Sequence, residues 1–317
     1  MMRVVSHLQT VFVMDHVSQV GYARRKAMMA AREDGLTAEQ CERVGLVCTE
    51  MASNIVRHAG GAGMVVLRRQ SETCGIELLA LDKGPGIDLG RLMADRQSTS
   101  GSLGTGLGAI RRLSDIFDIH VGRSGGTAIL SQVHGPAVRP EQPLCSDLGV
   151  VCLPLADNLV CGDGWGIADD GHTVVLMVID GLGHGPRAAD AARQAEHIFL
   201  DNMMTDPLDI MNVVDGLIGT RGAVGLALRV VPTRRKACCA GIGNIAGRII
   251  DDNNGKRLVS YPGTLGRTTR HCQRLDYEWP ADALVVIHSD GLSQKWNESN
   301  YPGLWMRHPA LIAGVLY

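Results

Sequence analysis

Asp82-Lys83-Gly84-Pro85-Gly86-Ile87, with the second glycine cluster Gly101-Ser102-Leu103-Gly104-Thr105-Gly106-Leu107-Gly108, decides how the first half of this chain reads. Leu78-Leu79-Ala80-Leu81 just before it has the composition of a short buried strand, so Asp82 is a carboxylate delivered at a strand end. A lone carboxylate in such a place accepts a hydrogen bond from an exocyclic amine such as that of adenine. Gly84 and Gly86 admit positive φ and the close approach of a flat ligand, and Pro85 stiffens the turn between them. The second cluster runs into Leu107–Leu113, a predicted helix, and backbone N–H groups at a helix start suit phosphate.

Working outward, the apolar residues Val44, Val47, Met51, Ile55 and Ala59 recur at helical spacing after Thr37, which predicts one amphipathic helix capped by Thr37, with Glu39 and Glu42 near its start. Glu50 and Asn54 are four apart and share a face. A carboxylate and an amide oxygen so placed can position a hydroxyl and a Mg²⁺ ion beside phosphates. Alone, the pair reads as a solvated helix face. The order Glu-x-x-x-Asn, Asp-x-Gly-Pro-Gly, Gly-x-Gly-x-Gly turns it into a nucleotide site.

These motifs, with Ser98–Gly104 and the closing Gly125-Gly126-Thr127, make residues from about 5 to 133 resemble a GHKL (Bergerat-fold) ATP-binding domain of the RsbT-like anti-sigma-factor serine kinase type. The resemblance implies that Asn54 ligates Mg²⁺, Asp82 reads adenine and Glu50 is the general base for a protein serine hydroxyl. It places Gly104 and Gly106 at the phosphates, and Gly84, Gly86 and Thr127 in the nucleotide-binding set. No helix with a phosphoaccepting histidine precedes the domain, which points away from a sensor histidine kinase. Arg96–Gly101, rich in small polar residues, reads as a lid over the nucleotide.

A length of 317 residues with 45% hydrophobic content suggests two domains with a core each. A net charge of −2 and 4% aromatics indicate neither a nucleic-acid surface nor an anionic-membrane patch. No apolar run approaches the ~20 residues that span a bilayer, and Ser6, His7, Gln9 and Asp15 interrupt any signal-peptide pattern. Nine cysteines without a Cys-x-x-Cys fit reduced thiols in a cytosol. The expectation is a soluble, cytoplasmic protein.

Along the first domain, residues 4–14 read as a strand, His16–Arg32 as a helix, Met64–Gln70 and Ile76–Leu81 as strands, and Leu89–Asp95 as a short helix. Ile116–Gly122 and Thr127–Val133 close the domain as strands, giving residues 1–134. Four glycine or proline residues within His134–Pro143 mark a linker over 135–145 and a second domain over 146–317.

The second domain is richer in strands. Predicted strands reach Asp163, Asp180 and Asp290, each followed by glycine, and the last two follow the apolar runs Thr173–Ile179 and Ala283–Ser289. Carboxylates converging from separate strands suit hard divalent cations such as Mg²⁺ or Mn²⁺, and two bridged ions can activate a water for attack on phosphorus. Singly, each Asp-Gly reads as a turn.

Gly162-Asp163, Asp180-Gly181-x-Gly183-His184-Gly185 and Ser289-Asp290-Gly291 make this half resemble a metal-dependent serine/threonine phosphatase of the PPM group, in its SpoIIE/RsbX branch. The resemblance implies that Asp180 bridges two metals with the Gly181 carbonyl on one of them. Asp290 binds the other metal, and Asp163 holds the water network. The family carries one more strand with an Asp-Asp/Asn ligand, whereas this sequence ends in the predicted helix Leu311–Tyr317. A C-terminally truncated domain with a weakened metal site is therefore expected.

The fold class implied is α/β (α+β), a Bergerat-type α/β sandwich followed by a PPM-type α/β/β/α sandwich. The function implied is an ATP-dependent serine kinase fused to a phosphoserine phosphatase, with STAS-domain antagonist or scaffold proteins as substrates and ATP, Mg²⁺ and Mn²⁺ as cofactors. A downstream regulator or phosphatase is a further partner of this class. The alternative is a nucleotide-gated anti-sigma or partner-binding module with an inactive phosphatase-like domain. A chaperone-like or topoisomerase-like ATPase is disfavoured by the short first domain.

Overall fold

The computed structural model describes residues 3–5, 9–70, 74–87, 105–135, 146–154, 160–203, 206–219, 222–251, 255–267, 272–293 and 296–317. The chain forms two compact units: one gathers His7–Arg139, Asp147–Val151 and Asn297–Tyr317, the other Met1–Ser6, Pro140–Ser146 and Cys152–Trp296. Both mix helices with antiparallel sheets. The chain opens with two strands, β1 (Arg3–Val5) and β2 (Gln9–Val13), where one was expected over 4–14. They belong to different units, β1 pairing with the strand Asp163–Asp169 and β2 with Gly63–Gln70.

The five-stranded unit continues with α1 (Ser18–Glu33) and α2 (Ala38–His58). The start of α2 is set by a reciprocal capping box: Thr37 Oγ1 accepts from the Gln40 N–H at 3.2 Å, and Gln40 Oε1 accepts from the Thr37 N–H at 2.8 Å. Ala23, Ala27 and Ala31 are fully buried on α1, their small side chains letting it lie close against α2. Then come β3 (Gly63–Gln70), β4 (Gly75–Asp82), α3 (Thr105–Leu113), β5 (Ile116–Val121) and β6 (Thr127–Val133), in the sheet order β2-β3-β4-β6-β5. Ile76, Leu78 and Ala80 of β4 join Val47, Met51 and Ile55 of α2 in one core. Leu79 between them is also buried, so both faces of β4 are covered.

The second unit carries a six-stranded sheet of β1, β7 (Asp163–Asp169), β8 (Val174–Gly181), β9 (Ala223–Val231), β10 (Lys236–Ile242) and β13 (Leu275–Glu278). A three-stranded sheet joins β11 (Ala246–Ile250), β12 (Gly255–Leu258) and β14 (Leu284–His288). The β7–β8 turn is the expected Asp169-Asp170-Gly171, where Asp170 Oδ1 accepts from the N–H groups of His172 and Thr173 at 2.9 and 2.7 Å. Helices α4 (Pro186–Asn202) and α5 (Pro207–Leu217) pack on the six-stranded sheet, with Phe199, Ile210 and Val214 meeting Val175, Met177 and Ile179. The strand predicted as buried before Asp290 is half-buried throughout, because among the described residues β14 is an edge strand paired with β11 alone.

The last helix, α6 (Pro309–Leu316), departs from expectation: residues 297–317 belong to the five-stranded unit. An apolar helix needs an apolar surface, and α6 finds it on the face of β4 opposite α2. A Cβ on Gly314 would stand 2.6 Å from Leu79 Cδ2 and 3.0 Å from Leu81 Cδ2. Asp118 of β5 anchors the approach, accepting from the His308 N–H at 2.9 Å and from Arg307 at 3.2 Å. On this same face of the sheet Arg68 makes a two-point ion pair with Glu77 at 2.9 and 3.0 Å, and Gln132 donates to Glu77 at 2.8 Å. The Arg68 and Glu77 side chains are 1% and 3% exposed, so each depends on the other for its burial. None of the described helices is long and apolar enough to cross a membrane. The expected linker over 135–145, the helix Leu89–Asp95 and the lid lie outside the described residues apart from Gly135.

Candidate functional site

Asp82 is the last residue of β4, in register with Gly63 on one side and Thr127 on the other. Its Oδ1 accepts from the Gly84 N–H at 2.8 Å. The turn beyond it is held to the loop before β6 by the Gly126 N–H donating to the Gly84 carbonyl at 2.7 Å. Of the two turn glycines only Gly86 adopts positive φ (84°); at Gly84 the constraint is close approach, a Cβ standing 2.9 Å from that of Ala59.

Asp82, Asn54 and the buried Thr127 line a pocket whose apolar walls come from Met51, Ile55, Ala80 and Ile129. An apolar lining with a single carboxylate suits a base that offers an exocyclic amine. His58 also lines it; it lies four residues beyond Asn54, and that spacing alone could have pointed to it.

Glu50 and Asn54 face the start of α3. A Cβ built on Gly106 would lie 2.7 Å from Glu50 Oε2 and 3.7 Å from Asn54 Oδ1, so the two oxygens converge on the first turn of that helix. A side chain at Gly106 would push the Glu50 carboxylate aside, and the helix N-terminus adds positive potential beside it. A phosphate there would meet backbone N–H groups, an amide oxygen able to hold a hard cation and a carboxylate able to take a proton. Gly104 lies outside the described residues.

In the two-sheet unit, Asp163 opens β7 directly opposite Asp180 at the end of β8. The Ser289 hydroxyl donates to Asp163 Oδ2 at 2.7 Å, and the Asn244 amide donates to Asp290 Oδ2 at 2.9 Å. Burial and then the charges of Asp163 and Asp290 push Asp180 up to about 7, and burial chiefly raises Asp163 as well. Carboxyls that burial and one another keep from ionising are ones a divalent cation relieves, so the donor chemistry fits Mg²⁺ or Mn²⁺. Among the described residues, however, no three His, Cys, Asp or Glu side chains are assembled as a metal cluster. Gly181 is required for packing: a Cβ would fall 2.1 Å from the Ala188 carbonyl oxygen of α4. Ser289 lies within the Ser289-Asp290-Gly291 stretch, where the sequence alone assigned it no role. Asn244, in the β10–β11 turn, carried no signal in the sequence.

A family model for the histidine kinase-like ATPase domain matches residues 14–131. The serine/threonine-protein kinase RsbT of Bacillus subtilis (strain 168) is 34% identical over 110 residues, covering 34% of this chain and 82% of that protein. A solved structure described as the bacterial stressosome, a modular system adapted to control secondary messenger signalling, is 26% identical with a TM-score of 0.50, covering 53% of this chain and 90% of its own. A crystal structure of RsbX in complex with magnesium is 17% identical with a TM-score of 0.44, covering 51% of this chain and 87% of that one.

Proposed function

This chain belongs to the histidine kinase-like ATPase family that includes the serine/threonine-protein kinase RsbT. We propose that it is a stress-signalling switch: an ATP-dependent protein serine kinase, as that membership suggests, fused to a metal-dependent phosphoserine phosphatase, as the motifs at Asp163, Asp180 and Asp290 suggest. The observation that carries the kinase reading is the convergence of Glu50 and Asn54 on Gly106, beside the pocket that ends in Asp82. Asp82 accepts from the adenine amine, and the N–H groups at the start of α3 hold phosphate oxygens. Glu50 takes the proton of the substrate hydroxyl as its oxygen bonds to the γ-phosphorus and the bond to the ADP oxygen breaks. Asn54 would hold Mg²⁺, which offsets the phosphate charge when bound.

The substrates proposed are STAS-domain proteins of a stressosome-type pathway in the cytoplasm, a reading supported by the RsbT likeness and by the stressosome structure. Incubating the full chain with Mg·ATP and candidate STAS proteins, then mapping phosphoserine by mass spectrometry, tests it. Nucleotide binding without phosphoserine on any of them would leave a nucleotide-gated binding module.

Asp82→Asn should weaken ATP binding by about tenfold or more. The Gly84 N–H occupies the one carbonyl oxygen of the new amide, which then presents its NH₂ to the NH₂ of adenine. Unchanged affinity in calorimetry would show that the adenine lies elsewhere.

For the phosphatase half, Asp163, Asp180, the Gly181 carbonyl and Asp290 are the groups that would hold Mn²⁺ or Mg²⁺, which activates water when bound. Asp180→Ala should abolish Mn²⁺-dependent phosphate release from a phosphoserine peptide, and Asp290→Ala should be partly rescued by raised Mn²⁺. Release that survives Asp180→Ala would remove this aspartate from the site.

A further inference from the structure

Two thiols in the second unit lie in contact: Cys152 Sγ and Cys161 Sγ are 3.6 Å apart. Both residues are half-buried and neither is disulfide-bonded. The sulfurs are held where they are by neighbouring backbone, Cys161 Sγ lying 3.3 Å from the Leu153 carbonyl oxygen and Cys152 Sγ 3.7 Å from that of Asp163. A disulfide requires about 2.05 Å between sulfurs, so closure asks for an approach of about 1.5 Å. Other thiols among the described residues are differently placed. Cys48 and Cys239 are buried. Cys238 and Cys239 are neighbours on one strand and point to opposite faces.

We propose that Cys152 and Cys161 form a reversible redox pair that a hydroperoxide closes to an intramolecular disulfide. One sulfur, as thiolate, attacks a peroxide oxygen; the O–O bond breaks and a sulfenic acid forms. The second sulfur attacks the sulfenic sulfur, the S–O bond breaks, and the oxygen leaves as water with the thiol proton. Two thiols and one hydroperoxide thus yield a disulfide, one water and the corresponding alcohol, or two waters from hydrogen peroxide. Cys161 lies two residues before Asp163, and the Cys152 sulfur already touches the Asp163 carbonyl. The bond therefore tethers the end of β7 that delivers this carboxylate to the segment carrying Cys152. The inference rests on the thiol geometry and stands independently of the kinase and phosphatase readings.

The test uses the full chain, reduced, then exposed to graded hydrogen peroxide, with free thiols blocked by N-ethylmaleimide before non-reducing peptide mapping. The expected product links Cys152 to Cys161, lighter by two hydrogens, with neither alkylated and both recovered after dithiothreitol. Cys152→Ser should leave Cys161 open to alkylation or trapped as a sulfenic acid by dimedone, and Cys161→Ser should do the same for Cys152. The proposal is overturned if both thiols stay alkylated at peroxide levels that oxidise the half-buried Cys74 and Cys272. It is equally overturned if either thiol bonds a different cysteine or goes on to sulfinic acid in the wild type.

Discussion

Glu50→Gln should leave nucleotide binding in place and slow phosphoryl transfer by about 10²-fold or more, the loss of a positioned base. That factor corresponds to about 2.7 kcal/mol of barrier. The amide has the shape of the carboxylate, so the close approach of Glu50 to Gly106 survives and only the capacity to take a proton is removed. Asn54→Ala should behave differently. It removes the oxygen that converges on the same helix start, so binding and transfer should fall together. Calorimetric titration with Mg·ATP, run beside transfer of labelled phosphate to a STAS substrate, separates the two outcomes. Equal transfer rates for Glu50→Gln and the unaltered chain would eliminate the base and leave only nucleotide-gated binding.

Deleting residues 297–317 should unfold the nucleotide-binding unit, although none of the nucleotide motifs lies in that segment. Leu311, Ile312 and Leu316 are buried at 0, 2 and 7% exposure, and α6 covers Leu79 and Leu81 on the back of β4. Cutting one such side chain to alanine costs about 2–5 kcal/mol, and a whole domain has only about 5–15 kcal/mol to lose. The deletion also removes the Arg307 and His308 donors to Asp118 and uncovers the face that carries the Arg68–Glu77 pair. An unpartnered or newly wetted apolar sheet face invites aggregation. The milder Leu311→Ala should lower the melting temperature by roughly 5–15 °C with ATP affinity retained at low temperature. An unchanged melting temperature and ATP affinity in the chain lacking 297–317 would show that α6 does not support this fold.

The elements of both units were legible from local pattern. Thr37, with Glu39 and Glu42 after it, announced the start of α2, and the 3.6-residue recurrence of Val44, Val47, Met51 and Ile55 marked its buried side. The same helix carried Glu50 and Asn54 onto one face, because spacing within a helix is fixed by its geometry. Asp82 and Asp180 were placed at strand ends by the apolar runs before them. In these cases the determining interactions lie within a few residues, so one stretch of sequence contains them. The allegiance of the chain ends was different. Residues 4–14 read as one strand, yet Arg3–Val5 pairs with β7 while Gln9–Val13 pairs with β3. Leu311–Tyr317 read as a helix, and Pro309–Leu316 is one, but its apolar composition did not say which sheet it would cover. The convergence of Glu50 and Asn54 on Gly106, the meeting of Asp163 with Asp180 and Ser289, and the Arg68–Glu77–Gln132 row likewise depend on register between strands or on packing between helices. Periodicity records that a surface must be buried. Only the tertiary structure, through contacts between residues far apart in the chain, decides against what.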